Sequence, residues 1–473
     1  MNLRHKRLVV VSNRLPVAIR EDEQGSRLRS ASGGLVTALA PIMQENRGLW
    51  IGWLGRNQPG NVDQMVEQFN QKGSYTIKPL QLTPEEMDLY YEGFSNSCIW
   101  PLFHDLISKA HFNLPEWKAY SRVNERFSEV IAGEVQPGDF IWVHDYHLMR
   151  VASTLRKRNV HHPLAYFHHI PFPAPDIFRR LPWREDILNN LLDFDLLGFQ
   201  SMRDRSNFIA TVRELVKGSY FTRKRRHTLV HLHGRTVRVG NYPISIDYHE
   251  FDQAARASEV RLEMKAMKTA FPAETLILGL DRLDYTKGIP ERFLAFERML
   301  ELHPELLGKV SLIQVVVPSR TGVQRYKELK EELDSLTGRI NGRFSEYGYV
   351  PIYYYFKHLN RTELLAHYRT CSVALITPLR DGMNLVAKEY AASQTELDGS
   401  LILSEFTGSA EQLARGAIIV NPYDLEGVAE AIYHAITLPQ GEKRERMRAM
   451  RNQVRKNDVH RWVGWFTDAF SAS

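Results

Sequence analysis

Residues 276–300 read LILGLDRLDYTKGIPERFLAFERML, and this stretch determines the predicted fold. Its opening run, Leu276–Leu280, is apolar throughout, as in a strand that is buried on both faces. After a charged loop, Phe293–Leu300 repeats apolar residues every three or four positions, as on one face of a helix. A buried strand that leads through a polar loop into an amphipathic helix begins a βαβ unit. The stretch therefore predicts a parallel sheet covered by helices.

The same alternation of strand and helix patterns extends outward over almost the whole chain. Near the N-terminus, an apolar run at Leu8–Val11 precedes a helical face over residues 35–43, and a second helical pattern covers Tyr326–Leu336. Further strands are predicted at Phe140–Val143, Leu164–Phe167, Leu196–Phe199, Val310–Val317, Val373–Ile376, Leu401–Leu403 and Ile418–Val420. Alternating segments of this kind predict a doubly wound α/β architecture.

The length of the chain, 473 residues, predicts two large domains, because a single hydrophobic core rarely grows that far. The strand-helix rhythm breaks at 227–244, where alternation around His233-Gly234 predicts a β-hairpin. We place the boundary there, with an N-terminal domain at 1–248 and a C-terminal domain at 249–456. The tail, 457–473, is predicted to be a helix that packs back onto the N-terminal domain.

Composition limits the classes of function. The two cysteines, Cys98 and Cys371, exclude a disulfide framework and a cysteine-rich zinc site. No apolar run approaches the ~20 residues of a membrane span, and Leu8–Val11 is too short for a signal peptide. The net charge of +6 is interpreted as dispersed surface charge that partly serves small anions, because the basic run 223–226 lacks interleaved aromatic residues. We expect a cytoplasmic protein with neither a nucleic-acid nor a membrane partner.

Ligands of open α/β sheets bind beyond the carboxyl ends of the strands, and a charged loop follows the strand at Leu276–Leu280. In this loop Arg282 offers a planar fork and Lys287 a point charge, a combination suited to a diphosphate leaving group. The alternative is a loop held by salt bridges to its own Asp281 and Asp284.

A second polar loop, 378–389, follows the strand at Val373–Ile376. Asp381 can accept hydrogen bonds from sugar hydroxyls, and Glu389, about two helical turns further on, can bind the ribose of a nucleotide. The alternative is that Asp381 serves only as a helix N-cap.

Polar loops also follow the predicted N-terminal strands. Ser12–Arg14, with the Gly33-Gly34 pair at a helix start, suits a phosphate, although such glycines are more often plain turn chemistry. His144–His147 and 168–173 suit either a metal ion or sugar hydroxyls, and the sugar interpretation needs no metal. Asp193–Asp195 imitates a metal-binding D-x-D motif but adjoins an apolar strand, so we interpret it as structural.

In this order, the loops resemble the trehalose-6-phosphate synthases over essentially the whole chain. That family consists of retaining glucosyltransferases of the two-domain GT-B type, with two Rossmann-like domains that face a deep cleft. The segments that carry the resemblance are VVVSNRLP (9–16), YYEGFSNSCIWPLFH (90–104), WVHDYHLM (142–149), FHHIPFP (167–173), RLDYTKG (282–288), VPSRTGVQRY (317–326), RINGRF (339–344), TPLRDGMNLVAKEY (377–390) and NPYD (421–424).

The resemblance implies that glucose passes from UDP-glucose to glucose 6-phosphate, giving α,α-trehalose 6-phosphate and UDP, without a metal or other cofactor. The implied acceptor-binding residues are Arg14, Trp53, Tyr91, Trp100, Asp145 and Arg320. The implied donor-binding residues are Gly34, Arg282, Lys287, His169, Asp381, Gly382, Met383, Asn384, Leu385, Val386 and Glu389. The implied catalytic residues are Arg282, Lys287, His169 and Asp145.

Without the resemblance, Tyr91 and Trp100 would be interpreted as core residues. The resemblance also implies a same-face mechanism, in which the leaving phosphate takes the proton of the incoming hydroxyl, and domain closure that excludes water. The charged loop Arg20–Arg29 is a candidate lid.

Alternatives stay open at this point. His168-His169 and the segment 181–185 also resemble the glucosylglycerol-phosphate synthases, which use ADP-glucose and glycerol 3-phosphate. A hydrolase would favour a pair of opposed carboxylates, and a phosphorylase of this fold would carry a pyridoxal lysine signature, which is not seen here. A non-catalytic sugar-phosphate sensor of the same fold would be expected to lack groups such as Arg282, Lys287 or Asp381, all of which are present. A homo-oligomer and a functional link to a trehalose-6-phosphate phosphatase also stay open.

Overall fold

The computed structural model describes residues 7–22, 25–30, 34–55, 62–224, 227–319 and 323–471. The chain divides into two compact units, one formed by Met1–Pro243 with Trp462–Ser473 and the other by Ile244–Arg461. The boundaries predicted at 248/249 and 456/457 both fall inside the second unit.

Strands of the first unit form one large sheet and a small hairpin. They are β1 (Leu8–Arg14), β2 (Val17–Asp22), β3 (Gly25–Ser30), β4 (Leu49–Trp53), β5 (Thr76–Pro79), β6 (Phe140–His144), β7 (Leu164–Phe167), β8 (Leu196–Phe199), β9 (Tyr220–Arg223), β10 (His227–Leu232) and β11 (Arg235–Asn241). Among the described residues, the large sheet has nine strands in the order β5-β4-β1-β6-β7-β8-β11-β10-β9. From β5 to β11 neighbouring strands are parallel, so the carboxyl ends of β4, β1, β6, β7 and β8 lie along one edge.

The helices of the first unit surround this sheet. They are α1 (Gly34–Glu45), α2 (Val62–Lys72), α3 (Pro84–Glu86), α4 (Trp100–Phe103), α5 (Leu114–Glu134), α6 (Val151–Lys157), α7 (Pro175–Phe178), α8 (Arg184–Leu191) and α9 (Met202–Leu215), with 3-10 turns at Ile107–Lys109 and Tyr146–Leu148. Between α3 and α4, Met87–Ile99 forms a π-helix of 13 residues. Because π-helical segments usually span a single turn and occur at functional sites, this one marks the region for attention.

The predicted hairpin around His233-Gly234 is confirmed, since β10 and β11 pair antiparallel. The interpretation of Arg20–Arg29 as a loop is wrong, because β2 and β3 pair antiparallel with Ile19 opposite Leu28. Apolar side chains at these paired positions favour the hairpin in spite of the surrounding charge. Residues 23–24 of that segment lie outside the described residues.

The second unit contains an all-parallel sheet. Its strands are β12 (Thr275–Arg282), β13 (Val310–Val317), β14 (Ile352–Phe356), β15 (Val373–Ile376), β16 (Ser400–Ser404) and β17 (Ile418–Val420), and its helices are α10 (Tyr248–Ala254), α11 (Ser258–Ala270), α12 (Ile289–Leu302), α13 (Gln324–Phe344), α14 (Arg361–Thr370), α15 (Leu385–Ser393), α16 (Ala410–Leu413), α17 (Leu425–Thr437) and α18 (Gln440–Lys456), with 3-10 turns at Tyr285–Lys287 and Pro304–Leu306. The strand order is β14-β13-β12-β15-β16-β17, so the order reverses between β12 and β15. Ligands of such sheets bind at that reversal.

Strand β12 is buried on both faces, as its sequence predicts. Leu278 and Leu280 pack into one apolar cluster, whereas Ile277 packs with Phe293 of α12 into another. Burial of this kind on two faces, at about 25 cal/mol per Å² of apolar surface, is the main stabilising contribution to the sheet.

The last helix, α19 (Val459–Ser471), contributes aromatic side chains to the first unit. The ring of Phe466 stacks on Trp142 of β6 at a centroid distance of 4.3 Å. The indole N–H of Trp462 donates to the carbonyl of Tyr242 at 3.0 Å. No helix within the described ranges is long and apolar enough to cross a membrane.

Candidate active site

Two loops of the second unit, one after β12 and one after β15, are joined by an ion pair. The Nζ of Lys287 lies 2.6 Å from Oδ2 of Asp381, and both side chains are largely shielded from solvent. The amide of Asn384 donates to the same carboxylate oxygen at 3.1 Å. Because β12 and β15 are parallel neighbours, their carboxyl ends place the two loops side by side. The structure thus brings together a cation predicted to bind the diphosphate and a carboxylate predicted to bind the sugar.

In the charged loop after β12, some side chains have structural partners and others are available to a ligand. Asp281 forms a buried ion pair with Arg292 on α12, and Asp284 accepts two hydrogen bonds from its own turn. Lys287 pairs with the neighbouring loop, so the salt bridges of this loop alone do not account for it. The side chain of Arg282 is exposed and has no ion pair within the described part of the chain.

Helix α15 begins directly after the Asp381 loop. Its N-cap is Asn384, which has a left-handed backbone with φ of 64° and accepts a hydrogen bond from the N–H of Ala387 at 3.4 Å. Asp381 is therefore not the cap, and the alternative that it is only an N-cap is wrong. The backbone N–H groups of Leu385 and Val386 lie in the first turn, where the end of a helix attracts anions.

The turn between Asp381 and α15 is supported by the loop that follows β16. The carbonyl of Met383 accepts a hydrogen bond from the N–H of Ser409 at 2.9 Å. A Cβ on Gly408 would lie 2.1 Å from the carbonyl oxygen of Gly382, so the two backbones approach too closely for any other residue. No motif in the sequence indicated this support.

Glu389 lies two turns into α15, as predicted, and has a partner that the sequence did not reveal. The hydroxyl of Tyr368 on α14 donates to Oε2 of Glu389 at 2.7 Å. Burial raises the pKa of Glu389, while the hydrogen bond from Tyr368 acts in the opposite direction. One carboxylate oxygen is thus held by the protein, and the other is available to a ligand hydroxyl.

In the first unit, Arg14 lies at the end of β1 above two aromatic rings. Its guanidinium carbon is 4.1 Å from the ring centroid of Trp53 and 5.8 Å from that of Tyr91. The two rings meet edge to face at 5.7 Å. Tyr91 in turn stacks on His147 at 5.8 Å with an interplanar angle of 12°. Three predicted acceptor residues therefore come together, and the ring faces orient the cation.

The π-helix places Tyr91 on this cluster. The amide of Asn96 donates to the carbonyl of Tyr91 at 2.7 Å, and the hydroxyl of Tyr146 donates to Oδ1 of Asn96 at 2.9 Å. Trp100, which begins α4, is 5% exposed and packs its ring on Tyr146 and on His104 at 5.7 and 4.2 Å. Asn96 thus fixes the turn of backbone from which Tyr91 projects.

Asp145 directly follows β6 in a strained conformation. Its φ of 75° with ψ of 165° is unusual for a residue with a side chain. Its Oδ1 accepts hydrogen bonds from the N–H groups of Tyr146 and His169 at 3.0 and 3.2 Å. Such strain is retained where the surroundings determine it, and here it positions a carboxylate beside the end of β7.

His169, after β7, has a polar partner at each ring nitrogen. Its Nε2 lies 3.0 Å from Nδ1 of His144 and its Nδ1 lies 3.4 Å from the amide nitrogen of Gln200. Burial and the neighbouring His168 lower the pKa of His169 to about 3, so the ring is neutral at neutral pH. Since the Gln200 amide donates, the proton of His169 is assigned to Nε2 and points at His144. His144 belongs to a motif that the sequence predicted to bind a metal ion or sugar hydroxyls, whereas Gln200 was not predicted.

The remaining histidine and aspartate motifs have structural partners. His168 is buried between the hydroxyl of Tyr166 and the carbonyl of Pro171, at 3.0 and 3.3 Å. Asp195 forms an ion pair with Arg156 at 2.8 Å, in agreement with its structural interpretation. Across the described ranges, no three His, Cys, Asp or Glu side chains group as a metal site would require.

Two predicted residues cannot be placed in the site. Arg320 lies outside the described residues, and only the backbone of Gly34, at the start of α1, is described. Their roles stay predictions, as do the roles of the other residues assigned from the sequence.

Comparison with known proteins finds close relatives over the whole chain. It is similar to the α,α-trehalose-phosphate synthase (UDP-forming) from Burkholderia xenovorans in complex with glucose-6-phosphate, with a TM-score of 0.88, 35% identity and coverage of 98% of this chain and 100% of that one. An E. coli structure bound with UDP-2-fluoro glucose gives a TM-score of 0.87 and 37% identity, covering 98% and 99% of the two chains.

Curated sequences agree with the structures. The trehalose-6-phosphate synthase of Mycobacterium avium is 40% identical over 98% of this chain and 95% of its own length. The α,α-trehalose-phosphate synthase [UDP-forming] A of Dictyostelium discoideum is 39% identical over 99% of this chain, which spans 63% of that protein.

Two parallel α/β sheets with ligand-type loops at their carboxyl ends, together with these likenesses, define a glycosyltransferase of the GT-B class. A family model described as Glycosyltransferase family 20 matches residues 6–472, and the chain belongs to that family. The resemblance stated from the motifs is confirmed.

Proposed function

We propose that this protein is a retaining glucosyltransferase that moves glucose from UDP-glucose to glucose 6-phosphate and releases α,α-trehalose 6-phosphate and UDP. The observation that supports the proposal is the ion pair between Lys287 and Asp381 at the reversal of strand order, since these are the cation predicted for the diphosphate and the carboxylate predicted for the sugar. The printed names and ligands of the relatives, glucose-6-phosphate and UDP-2-fluoro glucose, support the same substrates.

The donor would bind along the loops of the second unit. Arg282 and Lys287 would hold the diphosphate, and the amides at the start of α15 would add donors to the same anion. Asp381 would accept from hydroxyls of the glucose. Glu389, with one oxygen held by Tyr368, would accept from the ribose.

The acceptor would bind at the strand ends of the first unit. Arg14, oriented by the faces of Trp53 and Tyr91, would hold the phosphate of glucose 6-phosphate, with Arg320 as a second cation. The Asp145 carboxylate would accept from the acceptor sugar, and the neutral His169 would contact the donor glucose.

In the proposed same-face mechanism, the acceptor hydroxyl attacks C1 of the glucose on the face from which the diphosphate leaves. The bond between the glucose C1 and the phosphate oxygen breaks, and the bond from C1 to the acceptor oxygen forms. The hydroxyl proton passes to the departing phosphate oxygen, so no protein base is needed. Arg282 and Lys287 stabilise the negative charge that develops on the diphosphate, which is electrostatic catalysis.

The surroundings of the reaction are also part of the proposal. Both cysteines, Cys98 and Cys371, are buried and unpaired, which suits a reducing, cytoplasmic compartment. The reaction as written consumes no cofactor. Its product is a phosphate monoester, so a phosphatase that acts on this product is the partner activity we propose.

The proposal is tested by measuring UDP, GDP or ADP release in a substrate panel. Purified protein is incubated with UDP-, GDP- or ADP-glucose and with glucose 6-phosphate or glycerol 3-phosphate, in the presence of EDTA. We expect the highest kcat/KM for UDP-glucose with glucose 6-phosphate. Preference for ADP-glucose with glycerol 3-phosphate would assign the protein to the alternative reaction, and no release with any pair would favour a sensor.

A further inference from the structure

A second concentration of positive charge lies at the carboxyl end of β11, two strands along the large sheet from β7, which precedes His169. Five basic side chains are grouped where β11 ends and β10 begins. They are Arg205, Arg223, Lys224, His227 and Arg238, and we call them the basic cluster.

Strand pairing and one hydrogen bond place these side chains near one another. His227 lies opposite Gly240, and Arg238 lies two residues before Gly240 on the same strand, so His227 and Arg238 project from one face of the sheet. Arg205, in the first turn of α9, donates from Nη1 to Oδ1 of Asn241 at 3.4 Å. The cluster therefore surrounds the end of β11.

The turn from β9 to β10 adds two cations to the cluster. The N–H of Lys224 donates to the carbonyl of His227 at 2.9 Å, and Arg223 lies opposite Thr228 in the β9–β10 ladder. Both side chains are exposed. Lys224 therefore lies beside His227, whereas Arg223, which pairs with Thr228, projects from the opposite face of the ladder, where its charge acts on Arg205.

The basic groups of the cluster influence one another's pKa values. Burial lowers the pKa of His227, and the nearby Arg238, Lys224 and Arg205 lower it further. Burial and then Arg223 lower the pKa of Arg205, and the buried phenol of Tyr242 opposes them. Each basic group therefore destabilises the charge of the others.

Arg235, another arginine of β11, has the ion pairs expected of a structural residue. Arg235, at the start of the strand, lies 3.4 Å from Asp195 and 3.9 Å from Asp193. By contrast, none of the four Arg and Lys side chains of the basic cluster has an ion pair within the described ranges. A group of four cations without such ion pairs, at the other end of the same strand, is typical of an anion-binding site.

Two guanidinium groups of the cluster also keep uncommitted donors. The Nε atoms of Arg205 and Arg238 are buried, and no described residue forms a hydrogen bond with them. A buried donor without an acceptor is destabilising, and few remain in folded proteins. Each arginine therefore retains its Nε–Nη edge, which matches two oxygens of a phosphate.

From these contacts we propose that the basic cluster binds a small phosphate-bearing anion at a site of its own. Two arginine forks supply directed donors, and Lys224 and Arg223 supply further charge. A nucleic acid fits less well, because Tyr242 is 6% exposed and the exposed ring of Tyr220 on β9 is already stacked on His231 at 4.4 Å. The proposal does not depend on the proposed transferase reaction.

The test is isothermal titration calorimetry with inorganic pyrophosphate at low ionic strength. We expect Arg205→Gln/Arg238→Gln to weaken pyrophosphate binding at this site by about 10-fold or more, since two charge-assisted contacts are lost. Arg223→Gln/Lys224→Gln changes exposed side chains only and is expected to weaken binding by about 3- to 10-fold. The matched control, Arg235→Gln, removes one charge from the same strand and is expected to leave the affinity within about twofold.

Each titration is run with and without saturating UDP, which occupies the predicted diphosphate residues if the proposed function holds. The difference between variants is expected in both series, so failure of the transferase assignment leaves this test intact. Titration with inorganic phosphate separates a free-phosphate site from one for larger phosphorylated solutes. Equal affinities in wild type and both cluster variants, or equal losses in Arg235→Gln, would overturn the proposal, as would binding of an oligonucleotide without pyrophosphate.

Discussion

The Nζ of Lys287 and Oδ2 of Asp381 lie 2.6 Å apart, which ties the loop after β12 to the loop after β15. The amide of Asn384 holds the same carboxylate oxygen. When the donor binds, a diphosphate oxygen can replace this carboxylate as the anionic partner of the Lys287 ammonium group. Donor binding is therefore expected to release Asp381 for hydrogen bonds with the sugar.

Replacing Lys287 tests the electrostatic part of the reaction. We expect Lys287→Ala to lower kcat for UDP release by about 100- to 1,000-fold, because one stabilising group for the leaving diphosphate is lost. Lys287→Arg keeps the charge and is expected to retain part of the rate. Lys330→Ala breaks an exposed 2.6 Å pair with Asp334 and serves as the control, with kcat unchanged. A Lys287→Ala enzyme with wild-type kcat would exclude this residue from the leaving-group site.

Arg14 tests the acceptor site. We expect Arg14→Ala to raise KM for glucose 6-phosphate by about 10- to 100-fold, with a smaller change in KM for UDP-glucose, because a charge-assisted contact of about 1.5–3 kcal/mol is lost. Arg320→Ala is expected to act in the same direction. Arg122→Ala, at an exposed position of α5, is the control. An acceptor KM that stays at the wild-type value in Arg14→Ala would remove Arg14 from the phosphate site.

The ribose contact predicted for Glu389 is separable from its structural hydrogen bond. We expect Glu389→Gln to raise KM for UDP-glucose by about 10-fold and Tyr368→Phe to have a smaller effect, since Tyr368 acts through Glu389. A donor that lacks the ribose 2′-hydroxyl is the sharper reagent. Wild type is expected to discriminate against it, and Glu389→Gln to discriminate much less. Undiminished discrimination by the variant would place the ribose elsewhere.

His168 makes the stability of the protein dependent on pH. Burial, and less strongly His104, lower the pKa of His168 to about 3, although its hydrogen bond to the carbonyl of Pro171 acts to raise this pKa. In the unfolded chain the ring titrates near about 6.5. Above about pH 6.5 the ring is neutral in both states, so burying it costs no protonation free energy. As the pH falls below that value the unfolded chain binds a proton that the folded protein does not, and the free energy of unfolding falls by about 2 kcal/mol at pH 5.

We expect the fall in unfolding free energy between pH 7 and pH 5 to be about 2 kcal/mol smaller in His168→Gln than in wild type. Urea denaturation at each pH measures it. His161→Gln, an exposed histidine, is the control and is expected to keep the wild-type dependence. Parallel pH curves for wild type and His168→Gln would contradict the buried, neutral ring.

Much of the fold could be predicted because parallel strands that are buried on both faces have continuous apolar sequences. Leu164–Phe167, Leu196–Phe199 and Val310–Val317 appear in the structure with the predicted bounds. β5 was missed because its sequence, TIKP, is short and half polar. β14 was also missed, although its sequence, IYYYF, consists of residues that favour strands. The hairpin of β2 and β3 was missed because its charges conceal the paired Ile19 and Leu28.

The site was predicted residue by residue only where the motif itself carries the chemistry. Lys287 and Asp381 were found in separate loops, and the reversal of strand order brings them together. Tyr368 and Gln200 could not be found, because each acts through a contact with a residue distant in sequence. His144 stood in a predicted motif, but its contact with His169 did not follow from that motif. The π-helix that carries Tyr91 also left no signal, since its hydrogen-bond register is set by tertiary contacts such as that of Asn96 with Tyr146.

The central claim is that glucose is transferred with retention to the anomeric hydroxyl of glucose 6-phosphate. The most direct measurement is NMR spectroscopy of the product formed from UDP-glucose labelled with ¹³C at C1 of the glucose and unlabelled glucose 6-phosphate. The account predicts one labelled α-anomeric carbon, coupled through the glycosidic oxygen to an unlabelled α-anomeric position. A β-linked product, a linkage to another hydroxyl, or free labelled glucose as the main product would contradict it.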